Sequence, residues 1–195
     1  MDWLGWGMGK FKKGHYRSDT TRLKDWDYAQ NAAYFITICT HRKEHFLGTV
    51  RSLALGLTID SDLLDSTPQN FAALRTYLNP SRIGEIAYEY WLKIPQKYPF
   101  VSLGEFVIMP NHVHGILIFN RKEKLEWQSN RYGPQSQNLA AVIRGYKAGV
   151  KSFATKNKVP FAWQSRYYDH IIRDQKAYHQ ISRYIQTNPV RWHHP

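Results

Sequence analysis

The chain has 195 residues, of which 43% are hydrophobic and 15% aromatic, so the composition excludes a disordered protein and suits one domain with a real core. Lysine and arginine number 27 against 15 acidic residues, and the net charge of +12 with interleaved aromatics favours nucleic acid over a membrane as partner. The single cysteine, Cys39, excludes an internal disulfide and a thiolate zinc cage, and no apolar run is long enough to span a membrane.

The amino-terminal residues 1–31 are basic, glycine-rich and aromatic in places, and they lack the continuous apolar core of a signal peptide. We interpret them as a loosely ordered arm, either a solvated tail or a contact for phosphates. Residues 32–195 are expected to form one domain, and the protein is expected to be cytoplasmic.

The sequence predicts the first elements of that domain with different clarity. Tyr34–Thr40 is rich in β-branched and aromatic residues and predicts an interior strand. Residues 47–80 are an irregular insertion, in which short β-prone runs suggest a small hairpin or excursion and Phe71–Leu78 fits a helical turn or two. From Ser81 to Pro95, apolar residues recur at helical spacing and predict an amphipathic helix that covers a sheet.

The next stretch, MPNHVHGILIF, carries two histidines inside an apolar run. In a strand, His112 and His114 would stand on one face with their Cβ atoms roughly 6.6 Å apart, because successive side chains alternate and each residue rises ~3.3 Å. Burying imidazoles is costly unless they find partners. The pair therefore either forms two core histidines satisfied by backbone or water, or holds an ion.

A polar loop over residues 121–137 leads to a second long helix that Asn138 caps. One side of this helix carries Arg144, Lys147 and Lys151 at spacings of three and four residues. This basic stripe is either a solvated helix face or a row of phosphate contacts.

The end of the chain predicts a strand over Trp163–Ile172 and a last helix with Asp174 as N-cap. The helix is expected to end near Asn188, because the residue before a proline is disfavoured in the helical region. Tyr184 lies four residues before Asn188 and therefore on the same helix face.

A tyrosine hydroxyl has a pKa of about 10 and is a poor nucleophile unless a metal or a base lies beside the reacting group. An ion held by two neutral histidines and an amide oxygen could activate a phosphate for attack, and Mg²⁺ or Mn²⁺ would suit such ligands, Mn²⁺ better. From the residues alone, Tyr167, Tyr168 and Tyr178 compete with Tyr184 for the nucleophile's role.

Three segments in this order resemble the REP-associated tyrosine transposases, relatives of the small insertion-sequence transposases in the HUH superfamily of single-strand nucleases. They are MPNHVHGIL, WQSRYYDHIIRD and YIQTNPVRW. YFITICTHR and NLAAVIRGYKAGV are also similar to that group, so the resemblance runs from about Tyr34 to Trp192.

The resemblance implies roles for particular residues. The family's motif histidines bind a divalent metal, which places that role on His112 and His114. Its nucleophilic tyrosine corresponds to Tyr184, and the polar residue that completes the metal site corresponds to Asn188. The family cleaves single-stranded DNA, leaves a 5′-phosphotyrosine and a free 3′-hydroxyl, and reads a hairpin with a short flanking guide sequence.

We therefore expect an α+β domain of HUH type, with a ferredoxin-like, mainly antiparallel sheet of four to five strands and helices on one face. Its expected partner is single-stranded or hairpin DNA. Whether the helix of Tyr184 serves its own subunit or a partner's in a homodimer stays open. The alternatives are a nucleic-acid-binding module that does not cleave and a zinc hydrolase, and the lack of an H-E-x-x-H helix counts against the latter.

Overall fold

The structure is a computed structural model that describes residues 23, 25–54, 74–123, 125–128 and 136–192, so most of the predicted arm lies outside the described residues. The strands are β1 Ala33–Cys39, β2 Gly48–Ala54, β3 Leu74–Pro80, β4 Val101–Met109, β5 His112–Phe119 and β6 Tyr168–Ile172. The helices are α1 Arg82–Leu92, α2 Ile94–Lys97, α3 Leu139–Lys156 and α4 Gln175–Thr187, and His41–Lys43 form a 3-10 turn.

The main sheet has four strands in the order β4-β5-β1-β6, and each neighbouring pair is antiparallel. Leaving aside the β2–β3 insertion and short α2, the chain runs β1-α1-β4-β5-α3-β6, which is the β-α-β-β-α-β order of ferredoxin-like folds. The predicted α+β class and antiparallel sheet are therefore confirmed. The histidine-bearing strand β5 is interior, between β4 and β1.

Helices cover both faces of this sheet, whereas we expected them on one. α1 and α3 share a core with one face, where Trp91 and Tyr146 join Val113 of β5. On the other face, α4 packs Ile185 against Ile116 and Ile172. The reason lies in β5, whose side chains are apolar on both sides and so require cover on both.

The insertion contains a second, two-stranded sheet in which β2 pairs with β3 in antiparallel register from Gly48 opposite Pro80 to Ala54 opposite Leu74. The helical turn predicted over Phe71–Leu78 is therefore wrong where the structure describes it, since Leu74–Pro80 is a strand. Local sequence favoured a turn, but pairing with a distant strand decides the conformation.

Side-chain N-caps begin the three long helices, and the caps predicted at Asn138 and Asp174 are confirmed. The side chains of Ser81, Asn138 and Asp174 each accept a hydrogen bond from the backbone N–H three residues ahead. Such caps satisfy one of the orphan donors in the first turn of a helix. The cap at Asp174 fixes where α4 begins and therefore which residues of that helix reach the sheet.

The last strand is shorter than the Trp163–Ile172 range that we predicted. β6 begins at Tyr168, and Trp163 makes only an isolated bridge with Thr40. None of the helices in the described ranges is long and apolar enough to cross a membrane.

Candidate active site

His112 and His114 lie at the start of β5 with their ring centroids 4.4 Å apart, on the sheet face that α4 covers. Strand alternation brings the two rings together, as the His-x-His spacing predicts. His114 is only 7% exposed, so at least one imidazole of the pair is withdrawn from solvent.

The ring of His114 has a polar contact at each nitrogen. Its Nδ1 lies 2.9 Å from Oγ1 of Thr37, the residue directly opposite on β1. Its Nε2 lies 3.4 Å from the hydroxyl of Tyr184. Phe35 stacks on the ring at a centroid distance of 5.3 Å. The ring is therefore held in one orientation, with Nε2 directed at the tyrosine.

The ring of His112 has one hydrogen bond of normal geometry within the described residues, and the Asn188 side chain also interacts with it. Its Nδ1 lies 2.7 Å from Oδ1 of Asn111, in the turn that precedes β5. Its Nε2 is buried and has no partner at normal hydrogen-bond geometry within the described part of the chain. A buried acceptor without a partner is costly and calls for an explanation, such as a ligand at that point.

Burial keeps both imidazoles neutral. Desolvation lowers the pKa of His112 from 6.5 to about 4, although a hydrogen-bonding interaction with the Asn188 side chain opposes the shift. Desolvation, and next the neighbouring His112, lower the pKa of His114 well below its usual value. Neutral imidazole is the form that binds metal ions.

These shifts predict that the metal-free protein loses stability on acidification. Unfolded histidine takes up a proton near pH 6.5, whereas folded His112 does so only near pH 4. Stability should therefore fall as the pH drops from about 6.5 to about 4, by roughly 2–3 kcal/mol from His112 alone.

Urea denaturation at pH 7.5 and pH 4.5, in the presence of a chelator, measures this loss. The variant His112→Gln should lose less stability over the same interval, because it has no proton to take up at this position. An equal loss in both proteins would contradict the assigned burial of His112.

α4 delivers Tyr184 to the histidine pair of its own chain. The Tyr184 ring lies 5.3 Å from the ring of His114 between centroids and 6.2 Å from that of Phe35. Tyr184 is 38% exposed, so the residue is partly open to solvent. One turn further, Asn188 caps α4 and is 9% exposed.

Two of the competing tyrosines lie in other surroundings. Tyr178, on α4, packs into the apolar cluster between that helix and the sheet. Tyr168, on β6, is 46% exposed and makes an edge contact with Phe35 at 6.4 Å between ring centroids. Tyr184 thus has a described contact with the histidine pair that neither of these two residues shares.

The residues at this site fit a divalent metal ion. Within the described ranges, no group of three or more histidine, cysteine or acidic side chains could hold a metal. The candidate donors here are the two histidines, whose rings lie 4.4 Å apart between centroids, and the amide of Asn188, which interacts with His112. Such nitrogen and oxygen donors suit Mn²⁺ or Mg²⁺.

The predicted basic stripe on α3 has partners within the protein. The ammonium of Lys147 donates to the carbonyl of Gln164 at 2.5 Å, and that of Lys151 donates to the carbonyl of Phe161 at 2.6 Å. Both lysines thereby tie α3 to the segment that leads into β6. A role in DNA binding stays a prediction for them.

Arg144 of the same stripe lines an open groove of about 840 Å³ on the side of α3, together with Lys97 and Arg121. Tyr98 and Phe100 also line it, and the guanidinium of Arg121 lies 3.5 Å from the centre of the Phe100 ring. This groove concentrates positive charge and aromatic rings, a combination that suits a nucleic-acid backbone and its bases.

Sequence reasoning missed four residues around the histidines: Phe35, Thr37, Asn111 and Trp192, whose ring lies 5.9 Å from that of His112. Asn111 had a sequence signal, since it directly precedes His112. The other three had none, because their position depends on strand register and on the path of the chain after α4.

Comparison with known proteins finds a relative by sequence and a solved structure with a similar fold. No protein-family model matches the chain. An uncharacterized protein of Haemophilus influenzae is 35% identical over an alignment of 193 positions, and the match covers 94% of each chain. The structure of a REP-associated tyrosine transposase bound to a REP hairpin is similar over 89% of this chain and 73% of that chain, with a TM-score of 0.52 and 19% identity. That similarity shows a shared fold.

Proposed function

This chain belongs to the same protein family as the uncharacterized Haemophilus influenzae protein, and we propose that it is a metal-dependent single-stranded DNA endonuclease and transposase that works through Tyr184. The observation that carries the proposal is the position of the Tyr184 hydroxyl, 3.4 Å from Nε2 of His114, whose ring lies 4.4 Å from that of His112 between centroids. A phenol beside a pair of neutral imidazoles that would hold an ion is suited to phosphoryl transfer to tyrosine.

The reaction is a transesterification at one phosphate of the DNA strand. The phenolic oxygen of Tyr184 loses its proton and bonds to phosphorus, while the bond from phosphorus to O3′ breaks and O3′ takes up a proton. The products are a 5′-phosphotyrosine and a free 3′-hydroxyl. Attack of a 3′-hydroxyl on the phosphotyrosine reverses the step and rejoins the DNA.

His112, His114 and the amide oxygen of Asn188 would hold the ion, Mg²⁺ or Mn²⁺. When bound, the ion supplies Lewis-acid polarisation of a phosphate oxygen. The protein keeps both imidazoles neutral through burial, and Thr37 and Phe35 hold the ring of His114 in place. The partial exposure of Tyr184 leaves its hydroxyl open to the strand.

The net charge of +12 supports a DNA substrate, because phosphate contacts supply most of the affinity of such proteins. The groove lined by Lys97, Arg121 and Arg144 is one surface that could contact the backbone away from the histidines. The transposase that shares this fold is bound to a REP hairpin, which supports a hairpin-containing substrate here as well.

The direct test is incubation with a hairpin-bearing single-stranded oligonucleotide and Mn²⁺, followed by denaturing electrophoresis. A covalent protein–DNA adduct should form, and a chelator should abolish the adduct without abolishing binding. Binding that weakens with salt, ignores the chelator and gives no adduct would instead identify a non-cleaving nucleic-acid-binding module.

A further inference from the structure

We propose that Thr37 and Asn111 are positioning residues that fix the tautomers of the two histidines, so that both Nε2 atoms present lone pairs to a divalent ion. The inference rests on the proposed metal-dependent function and adds two residues to its site. Each residue lies at hydrogen-bond distance from the Nδ1 of one histidine, at 2.9 Å for Thr37 and 2.7 Å for Asn111.

For His112, the chemistry of the partner decides the tautomer. The Oδ1 of Asn111 is a carbonyl oxygen and can only accept a hydrogen bond, so Nδ1 of His112 must carry the hydrogen. A neutral imidazole has one N–H, and Nε2 therefore carries a lone pair. Among the described residues, this buried Nε2 has no hydrogen bond of normal geometry, and the ring interacts with Asn188, the third proposed ligand.

For His114, the two hydrogen-bonding neighbours are hydroxyl groups, at 2.9 Å from Nδ1 and 3.4 Å from Nε2. A hydroxyl can donate or accept, so both neighbours are compatible with the same tautomer. At Nε2, the Tyr184 hydroxyl can donate to a lone pair. The Oγ1 of Thr37 then accepts at Nδ1, and Nε2 carries the lone pair that faces the tyrosine.

Both supports belong to well-fixed parts of the chain. Thr37 is on the interior strand β1, directly opposite His114 in the ladder. Asn111 is in the two-residue turn between β4 and β5, where its backbone carbonyl accepts hydrogen bonds from the Thr40 amide and hydroxyl. Partners of this kind orient ligating imidazoles, and their loss costs about 10–100-fold in metal affinity.

The experiment has two readouts on the full-length protein. Long-range ¹H–¹⁵N NMR of the metal-free protein at pH 7.5 reports which nitrogen of each histidine carries hydrogen, and calorimetric titration reports Mn²⁺ affinity. The wild type should show Nδ1–H for His112 and His114. Thr37→Val should mix the tautomers of His114, Asn111→Ala those of His112, and each should weaken Mn²⁺ binding by about 10–100-fold.

Conservative and control variants separate positioning from general damage. Thr37→Ser keeps the hydroxyl and should restore one tautomer and an affinity within a few-fold of wild type. Thr155→Val, at an exposed position on α3, should change neither readout.

Wild-type histidines with hydrogen on Nε2 would overturn the inference, as would unchanged Mn²⁺ affinity in both Thr37→Val and Asn111→Ala. These outcomes do not involve DNA. Fixed Nδ1–H tautomers with Mn²⁺ binding but no adduct would leave the inference standing and overturn the proposed nuclease function alone.

Discussion

Replacing Tyr184 by phenylalanine is expected to reduce formation of the covalent DNA adduct by at least about a thousandfold, because removal of a nucleophile leaves no group to form the bond. The substitution deletes one oxygen from a side chain that is 38% exposed and keeps the ring contacts with Phe35 and His114. Folding, Mn²⁺ binding and DNA binding should therefore be close to wild type.

The assay is most informative with the oligonucleotide labelled at one end at a time. A 5′-phosphotyrosine joins the protein to the fragment that retains the 3′ end, so a 3′ label should move with wild-type protein and a 5′ label should appear on a shortened free strand. Both signals should be lost in Tyr184→Phe.

Tyr168→Phe is the matched control, because Tyr168 is also an exposed tyrosine in contact with Phe35. It should cleave at close to the wild-type rate. An undiminished adduct in Tyr184→Phe would place the nucleophile elsewhere, and a simultaneous loss in Tyr168→Phe would place it on Tyr168.

The parts of this site that the sequence could predict are those governed by local periodicity. Alternation along a strand puts His112 and His114 on one face, and the helical repeat puts Tyr184 and Asn188 on one side of α4. The cap at Asp174 is equally local. These features need only the spacing of residues within one element, so they can be read without knowledge of the tertiary structure.

The parts that could not be predicted depend on how elements meet. Thr37 supports His114 because β1 and β5 pair in one particular register, and a shift of one residue would place Ile36 or Ile38 there instead. Likewise, the spacing of Lys147 and Lys151 fits a solvated face, yet both bond to backbone carbonyls of the segment before β6. A lysine side chain is long enough either to extend into solvent or to reach a neighbouring carbonyl. The position of the surrounding backbone decides between these two outcomes.

His112→Ala is expected to remove metal binding, and this can be observed without DNA. An ion that binds only the folded state stabilises it by about 2.7 kcal/mol at a concentration of 100 times its Kd. For a chain of this length, that corresponds to a rise in Tm of roughly 5–10 °C. Wild-type protein should show this rise with Mn²⁺, whereas His112→Ala should show almost none and should form adduct at least about a hundredfold more slowly.

His170→Ala tests whether this effect is specific to the pair. His170 is an exposed histidine on β6, an edge strand of the same sheet, and its loss should leave the Mn²⁺-dependent rise in Tm unchanged. A persistent Mn²⁺ effect in His112→Ala would mean that the ion binds away from the orphaned Nε2. In that case the histidines would be structural, and the buried nitrogen would need a different explanation. Loss of the effect in His112→Ala alone would tie the ion to the buried Nε2 of His112, next to the histidine that contacts Tyr184.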